Sequence, residues 1–209
     1  MDPVLIVVVL VFGLLTAGAG AGIVLQLRRS ARRTAALLQL APGLELTPVQ
    51  PEALVRGQHA GEADVWDAAG VAFGLAPTNR GQVANLFHGQ REGRDVWLFD
   101  FSYSRIPGPH STSLRATVVS LALHATLPQF RLSPPGQVDA LRAEDGAAVR
   151  GLLSPAVLDS LTASSPLTVA SVGHRLLCHG TPAADGRTPV ADVPSLLDHA
   201  VETARQLRA

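Results

Sequence analysis

Residues Val4 to Leu27 contain no Asp, Glu, Lys, Arg or His, and Arg28, Arg29, Arg32 and Arg33 follow at once. A helix over Val4–Leu27 would be roughly 36 Å long at about 1.5 Å per residue, enough for a hydrocarbon core about 30 Å thick. Lipid offers no partner to a free backbone N–H or C=O, so the run reads as one transmembrane helix. The rival is a cleavable signal peptide, with small-residue sites at Ala17-Gly18-Ala19 and Ala19-Gly20-Ala21. A signal peptide carries its positive charge before a shorter apolar core. Here only Asp2 and the amine precede the run, so the anchor is the expectation. The positive-inside rule then leaves residues 1–3 outside and sends the chain after the arginines into the cytoplasm, as in a single-pass protein of the bacterial plasma (inner) membrane.

Past residue 27 the pattern becomes amphipathic. Arg28/Arg32 and Arg29/Arg33 are i,i+4 pairs on a basic juxtamembrane helix over 28–43, closed by Pro42-Gly43. Leu44–His59 reads as a linker or short edge strand. Asp64–Leu75 fits helix and strand equally. Val83–Gly89 is a short strand, and Arg91-Glu92-Gly93 a hairpin turn with Gly where positive φ is needed. Arg94–Ser104 alternates, with Trp97, Phe99, Phe101 and Tyr103 on one face and Val96, Leu98, Asp100 and Ser102 on the other. The Pro-rich loop Arg105–Ser113 leads to a strand over Leu114–His124, and Gln129–Leu132 is a fourth. Ser154-Pro155 starts a helix: Ser caps, and Pro is tolerated at the first helical position. Pro166–Val172 and His174–His179 form a second hairpin about Gly173. Val193, Leu196, Leu197, Ala200, Val201, Ala204 and Leu207 make the apolar stripe of a terminal helix laid on the sheet. The predicted class is α+β: an N-terminal transmembrane helix (4–27), a basic neck (28–43), then one cytoplasmic domain (44–209) with a mainly antiparallel sheet and packed helices.

Composition narrows the function classes. All 17 basic residues are Arg, and Ala, Gly and Pro are abundant, as in GC-rich bacterial coding sequence. Beyond the neck, thirteen Arg face sixteen acids, so no basic footprint for nucleic acid is present and no nucleic-acid partner is expected. The single cysteine, Cys178, excludes an intrachain disulfide and an all-Cys metal site.

The run Asn85-Leu86-Phe87-His88-Gly89, followed by Gly93-Arg94-Asp95-Val96-Trp97-Leu98-Phe99-Asp100-Phe101-Ser102-Tyr103, resembles the core of an uncharacterised family of bacterial single-pass membrane proteins. In that family a "G…GR.V..FDY.Y" hairpin follows an N-terminal anchor. Leu127–Pro134 and Leu152-Leu153-Ser154-Pro155 fit the same pattern, so the resemblance covers roughly residues 70–165. Family members often carry a longer polar stretch before the "LLSP" helix, where this chain has only Val138–Asp145. The resemblance implies no catalytic residues.

Candidate chemistry is sparse. The aromatic stripe Trp97–Tyr103 has the residues of a base-stacking platform, but lacks basic neighbours and reads as strand core. His174 and Cys178 share a strand face about 13 Å apart at about 3.3 Å per residue, with His179 opposite, which is too wide for one metal ion. Ser154 lacks a nucleophile elbow and reads as a cap. Asp100 and His124 form an acid–base pair only if the strand register joins them. No phosphate loop is present in a chain without Lys. No catalytic, cofactor-binding or metal residue is therefore assigned. Two sites remain: lipid-headgroup contact by Arg28, Arg29, Arg32 and Arg33, and helix self-association, giving a homo-oligomer, through Gly18 and Gly22 of a G-x-x-x-G pair. The expected partners are the lipid bilayer, a second copy and an unidentified protein. The functional expectation is a membrane-tethered interaction or scaffold domain that docks its partner on strand edges and the Pro-rich loop. The alternative is a membrane-anchored enzyme with an unrecognised active site.

Overall fold

A computed structural model describes residues 24–49, 60–75, 81–104, 112–134, 141–155, 157, 161, 167–181 and 186–207. The chain divides into two units, Met1–Leu40 and Ala41–Ala209.

In the first unit, residues 24–40 form a continuous helix, α1. Val24, Leu25 and Leu27 are exposed along it, as are Arg28, Arg29 and Arg32. No helix among the described residues is long and apolar enough to cross a membrane. The physical reason within α1 is that four guanidinium groups and Gln26 fall in the same helix as the apolar Val24, Leu25 and Leu27. This corrects the expected transmembrane helix, the single-pass plasma-membrane placement and the orientation derived from it. Residues 4–23 of the expected span, with Gly18 and Gly22, lie outside the described residues.

The second unit is α+β. It opens with a 3-10 turn, Ala41–Leu44, at the Pro42-Gly43 stop. Its strands are β1 (Leu46–Pro48), β2 (Gln82–Arg91), β3 (Arg94–Ser104), β4 (Ser113–Ala122), β5 (Phe130–Leu132), β6 (Leu141–Ala143), β7 (Thr168–Val172) and β8 (Arg175–His179). They form one antiparallel sheet in the order β1-β2-β3-β4-β8-β7-β5-β6. The meander β2-β3-β4 matches the alternating sequence. The second hairpin, β7-β8, does not stand apart; β8 pairs directly with β4 and extends the same sheet.

The β2-β3 hairpin is closed by Glu92 at φ 54° and Gly93 at φ 73°. Two successive positive φ values make the two-residue turn whose twist suits a hairpin. Register then follows from Arg91 opposite Arg94, Gly89 opposite Val96 and His88 opposite Trp97. A bulge between Ala84 and Phe87 holds Asn85 at φ 50°. Gly89 is required for another reason: a Cβ there would run into the Glu45 carbonyl as β1 crosses.

Both faces of the sheet are covered. Helix α2 (Ala60–Ala72) packs on β7 and β8. Its Val65, Ala68, Ala69 and Ala72, with Phe73, close over Trp97, Phe99, Phe101, Tyr103, Ala116, Val118 and Leu177. Phe73 stacks on Phe101 and lies 5.0 Å from Tyr103, ring centre to ring centre. The helix stops at Gly74, φ 68°, where Gly74 N donates to Val71 O and Leu75 N to Gly70 O. That bond pair is the left-handed glycine stop that satisfies the last carbonyls of a helix. It resolves the ambiguous segment as helix.

The terminal helix, here α4 (Val193–Gln206), lies on β4 and β8 of the opposite face. Every position of the predicted stripe from Val193 to Leu207 is buried. Val96 and Leu98 are therefore as enclosed as the aromatic stripe. At its end Arg205 grips both carboxylate oxygens of Glu92 and also pairs with Glu202, which ties α4 to the β2-β3 turn. The Arg205 guanidinium, hydrogen-bonded to Glu92, holds that carboxyl below its usual range. Between β6 and the Ser154 cap lies α3 (Gly146–Leu152), which the sequence pattern did not predict. Asp145 caps it, accepting from Ala147 N and Ala148 N. Ser154 Oγ accepts from Val157 N at 3.3 Å, as the Ser-Pro helix start requires.

Candidate functional site

The residues singled out from the sequence do not converge. The aromatic stripe is buried core, each member at most 8% exposed. Asp100 lies opposite Thr117 in the register, seven residues from His124, which is exposed beyond the end of β4. Asp100 is instead buried, accepting from Asn85 Nδ2 at 2.8 Å and Thr117 Oγ1 at 2.9 Å. Thr117 accepts in turn from Thr188 N. The bulge at Asn85 thus aims its amide at a carboxylate already bridged to β4, a fastening rather than an open site.

Cys178 and His179 alternate faces on β8, and His174 lies exposed in the turn before it. Burial pushes the Cys178 thiol up to about 12, which leaves it inert as a nucleophile. His179 sits under Phe73, ring centres 4.4 Å apart, with its Nδ1–H donating to Gly180 O at 2.6 Å. Burial lowers its pKa to about 4; the Gly180 bond opposes this, and nearby Arg131 adds to it. Among the described residues no group of three or more His, Cys, Asp or Glu is placed to hold a metal ion. Arg28, Arg29, Arg32 and Arg33 stand on α1 as the i,i+4 pairs the sequence predicts.

Two polar constellations emerge that sequence reasoning missed. The first is on the hairpin. His88 Nε2 meets Asp95 Oδ1 at 2.5 Å, Trp97 Nε1 donates to Asp95 Oδ2 at 2.9 Å, and the His88 and Trp97 rings stack at 4.2 Å. Counting outward from the Glu92-Gly93 turn puts these three on one face, so the predicted turn already contained the signal. The carboxylate orients His88, but no nucleophile or second acid joins the pair among the described residues.

The second is a cleft of about 270 Å³ beside the β6 edge of the sheet. Its floor is β5, β6 and β7; its wall is the C-terminal end of α2, with Val71, Ala72 and Gly74. Arg131 on β5 and Arg142 on β6 are direct cross-strand partners, and both line the cleft with Glu144. Arg131 Nη1 donates to the Ala72 carbonyl at 3.4 Å, where a cation complements the helix end. β6 lay in the stretch Val138–Asp145 that carried no predicted strand. Three residues are too few for an alternation signal, and only the fold brings Arg142 beside Arg131.

No family model matches the chain, and neither the curated proteins nor the solved structures contain a match. The reading of the site therefore rests on its geometry.

Proposed function

We propose that residues 41–209 are an interaction domain that takes up an extended partner segment by adding it as a strand to β6. One observation carries this reading. β6 pairs with β5 on one side and, among the described residues, with no strand on the other, and the cleft lies directly beside it. Strand addition needs both parts: an open edge whose main-chain groups give affinity, and an adjacent pocket that reads an alternate side chain. The opposite edge, β1, is less suited. It ends in Pro48, which has no N–H to offer an added strand.

The test uses the alternation of a strand. Successive N–H groups point to opposite edges, so one of Leu141 and Arg142 donates towards β5 and the other outward. Peptide-display panning on the full chain is compared with panning on Leu141→Pro and Arg142→Pro. The expected result is that peptides selected on the parent chain fail on the outward proline variant while its melting temperature is held. Undiminished binding to both proline variants would overturn the reading.

A further inference from the structure

Helix α1 carries a surface outside the unit that holds the cleft. Val24, Leu27, Ala31, Ala35 and Leu38 recur at steps of three and four, so they lie in one line along the helix, and all are exposed. Val24 is 48% exposed, Leu27 64% and Leu38 45%. The line is about 21 Å long at about 1.5 Å per residue. Leu37, by contrast, is buried, so a different side of the helix is the packed one. Arg28 and Arg32 run along one side of the apolar line and Arg29 stands further round; all three are exposed. Arg33 is half-buried and has an interaction of its own, so it stays outside this surface. No Asp or Glu occurs between residues 24 and 40 to balance the arginines.

We infer that α1 is an interfacial helix for an anionic lipid surface. It lies flat, with the line from Val24 to Leu38 at the boundary of headgroups and acyl chains and Arg28, Arg29 and Arg32 on the lipid phosphates. Lying on a bilayer makes a different demand from crossing it. A crossing helix needs about twenty predominantly apolar residues in succession, and no described helix is long and apolar enough. An interfacial helix needs only an apolar stripe beside a basic one. The arginine stem can follow the apolar boundary while its head stays at the headgroups. There the guanidinium offers a phosphate two parallel donors.

Charge decides between this surface and the other occupants. A second copy of the chain would cover the stripe, but it would bring two sets of arginines together with no acid on either helix to separate them. A nucleic-acid backbone would complement the charge and leave the stripe in water. An anionic bilayer complements both, because its charged layer and its apolar layer are adjacent. The inference stands apart from strand addition at β6, which uses residues of the other unit.

The experiment presents the full chain to vesicles of phosphatidylcholine alone or of phosphatidylcholine mixed with phosphatidylglycerol. Cys178 is buried, so a cysteine introduced on α1 takes a polarity-sensitive dye selectively. A dye at Leu27→Cys or at Leu38→Cys should shift to the blue on the mixed vesicles. A dye at Gln26→Cys, exposed on another side of the helix, should not. No shift at the two stripe positions, or an equal shift at all three, overturns the inference. Binding to the mixed vesicles should exceed binding to the neutral ones and weaken with added salt. It should fall about twenty-fivefold in the double variant Arg28→Gln/Arg32→Gln, at roughly fivefold for each arginine. It should also fall in Leu27→Gln, which keeps every charge. Equal binding to the two kinds of vesicle, or undiminished binding in the double variant, overturns the inference. Undiminished binding in Leu27→Gln overturns it as well, since α1 would then be a charge tether only. A blue shift that appears without vesicles and grows with protein concentration assigns the stripe to a second copy. Tighter binding to duplex DNA than to the mixed vesicles at the same salt assigns the arginines to nucleic acid. Either result overturns the lipid surface. The substituted positions are all exposed, so the variants are expected to fold as the parent does.

Discussion

His179 illustrates how position decides chemistry at the scale of one residue. In the unfolded chain its imidazole titrates near 6.5; in the fold, burial lowers this to about 4. Between those values the unfolded state binds a proton that the folded state excludes, so stability rises with pH across the window. It is fully present above about pH 6.5 and is lost as pH falls towards 4, by on the order of 3 kcal/mol. Urea unfolding at pH 7 and pH 4.5 should show this loss in the parent chain and a flatter dependence in His179→Phe. Equal pH slopes in the two would contradict the assignment. Trp97 is a second test. Truncation to Ala should cost about 3–5 kcal/mol, read as a lower urea midpoint, because it opens the core under α2 and strips Asp95 of a donor. The buried role of the aromatic stripe was legible from alternation alone. The separation of Asp100 from His124 was not, because register across β3 and β4 depends on contacts far apart in sequence.

At the scale of elements, legibility followed local signals. The hairpin turn, the Ser154 cap and the stripe of α4 each carry their cause within a few residues. Helix α2 was ambiguous because its inward positions are mainly alanines, which give a weak pattern; its Gly74 stop was the decisive mark. Strand β5 was expected within Gln129–Leu132 and lies there, whereas β1 and β6, also three residues each, are defined by their neighbours rather than by themselves. β1 depends on one missing side chain. Gly89→Ala would drive a Cβ into the Glu45 backbone, so β1 should separate from β2 at a cost of about 1–3 kcal/mol. Amide exchange at Leu46 and Val49 should then accelerate while exchange in β3 and β4 stays slow. Unchanged protection of β1 would show that the strand moves to make room.

At the scale of the whole molecule, the sequence pattern pointed to a meander and a second hairpin within a mainly antiparallel sheet but not to how they join; the fold pairs them through β4 and β8 in one sheet enclosed by α2 and α4. The decisive link, β4 to β8, spans more than fifty residues of sequence and has no local signature. The same link puts β7, β5 and β6 at the far end of the sheet and so creates the cleft. The expected membrane span was argued from residues 4–27, and the described helices do not bear it out. What the domain offers instead is an edge and an arginine-lined cleft beside it. The most direct measurement is isotope-filtered NMR on the labelled full chain with an unlabelled peptide selected by panning on the parent chain. Strand addition predicts cross-strand contacts between peptide backbone protons and Leu141, Arg142 and Ala143, with their outward amides newly protected from exchange. Contacts confined to the β2-β3 hairpin or to α1, with the β6 amides unchanged, would contradict it.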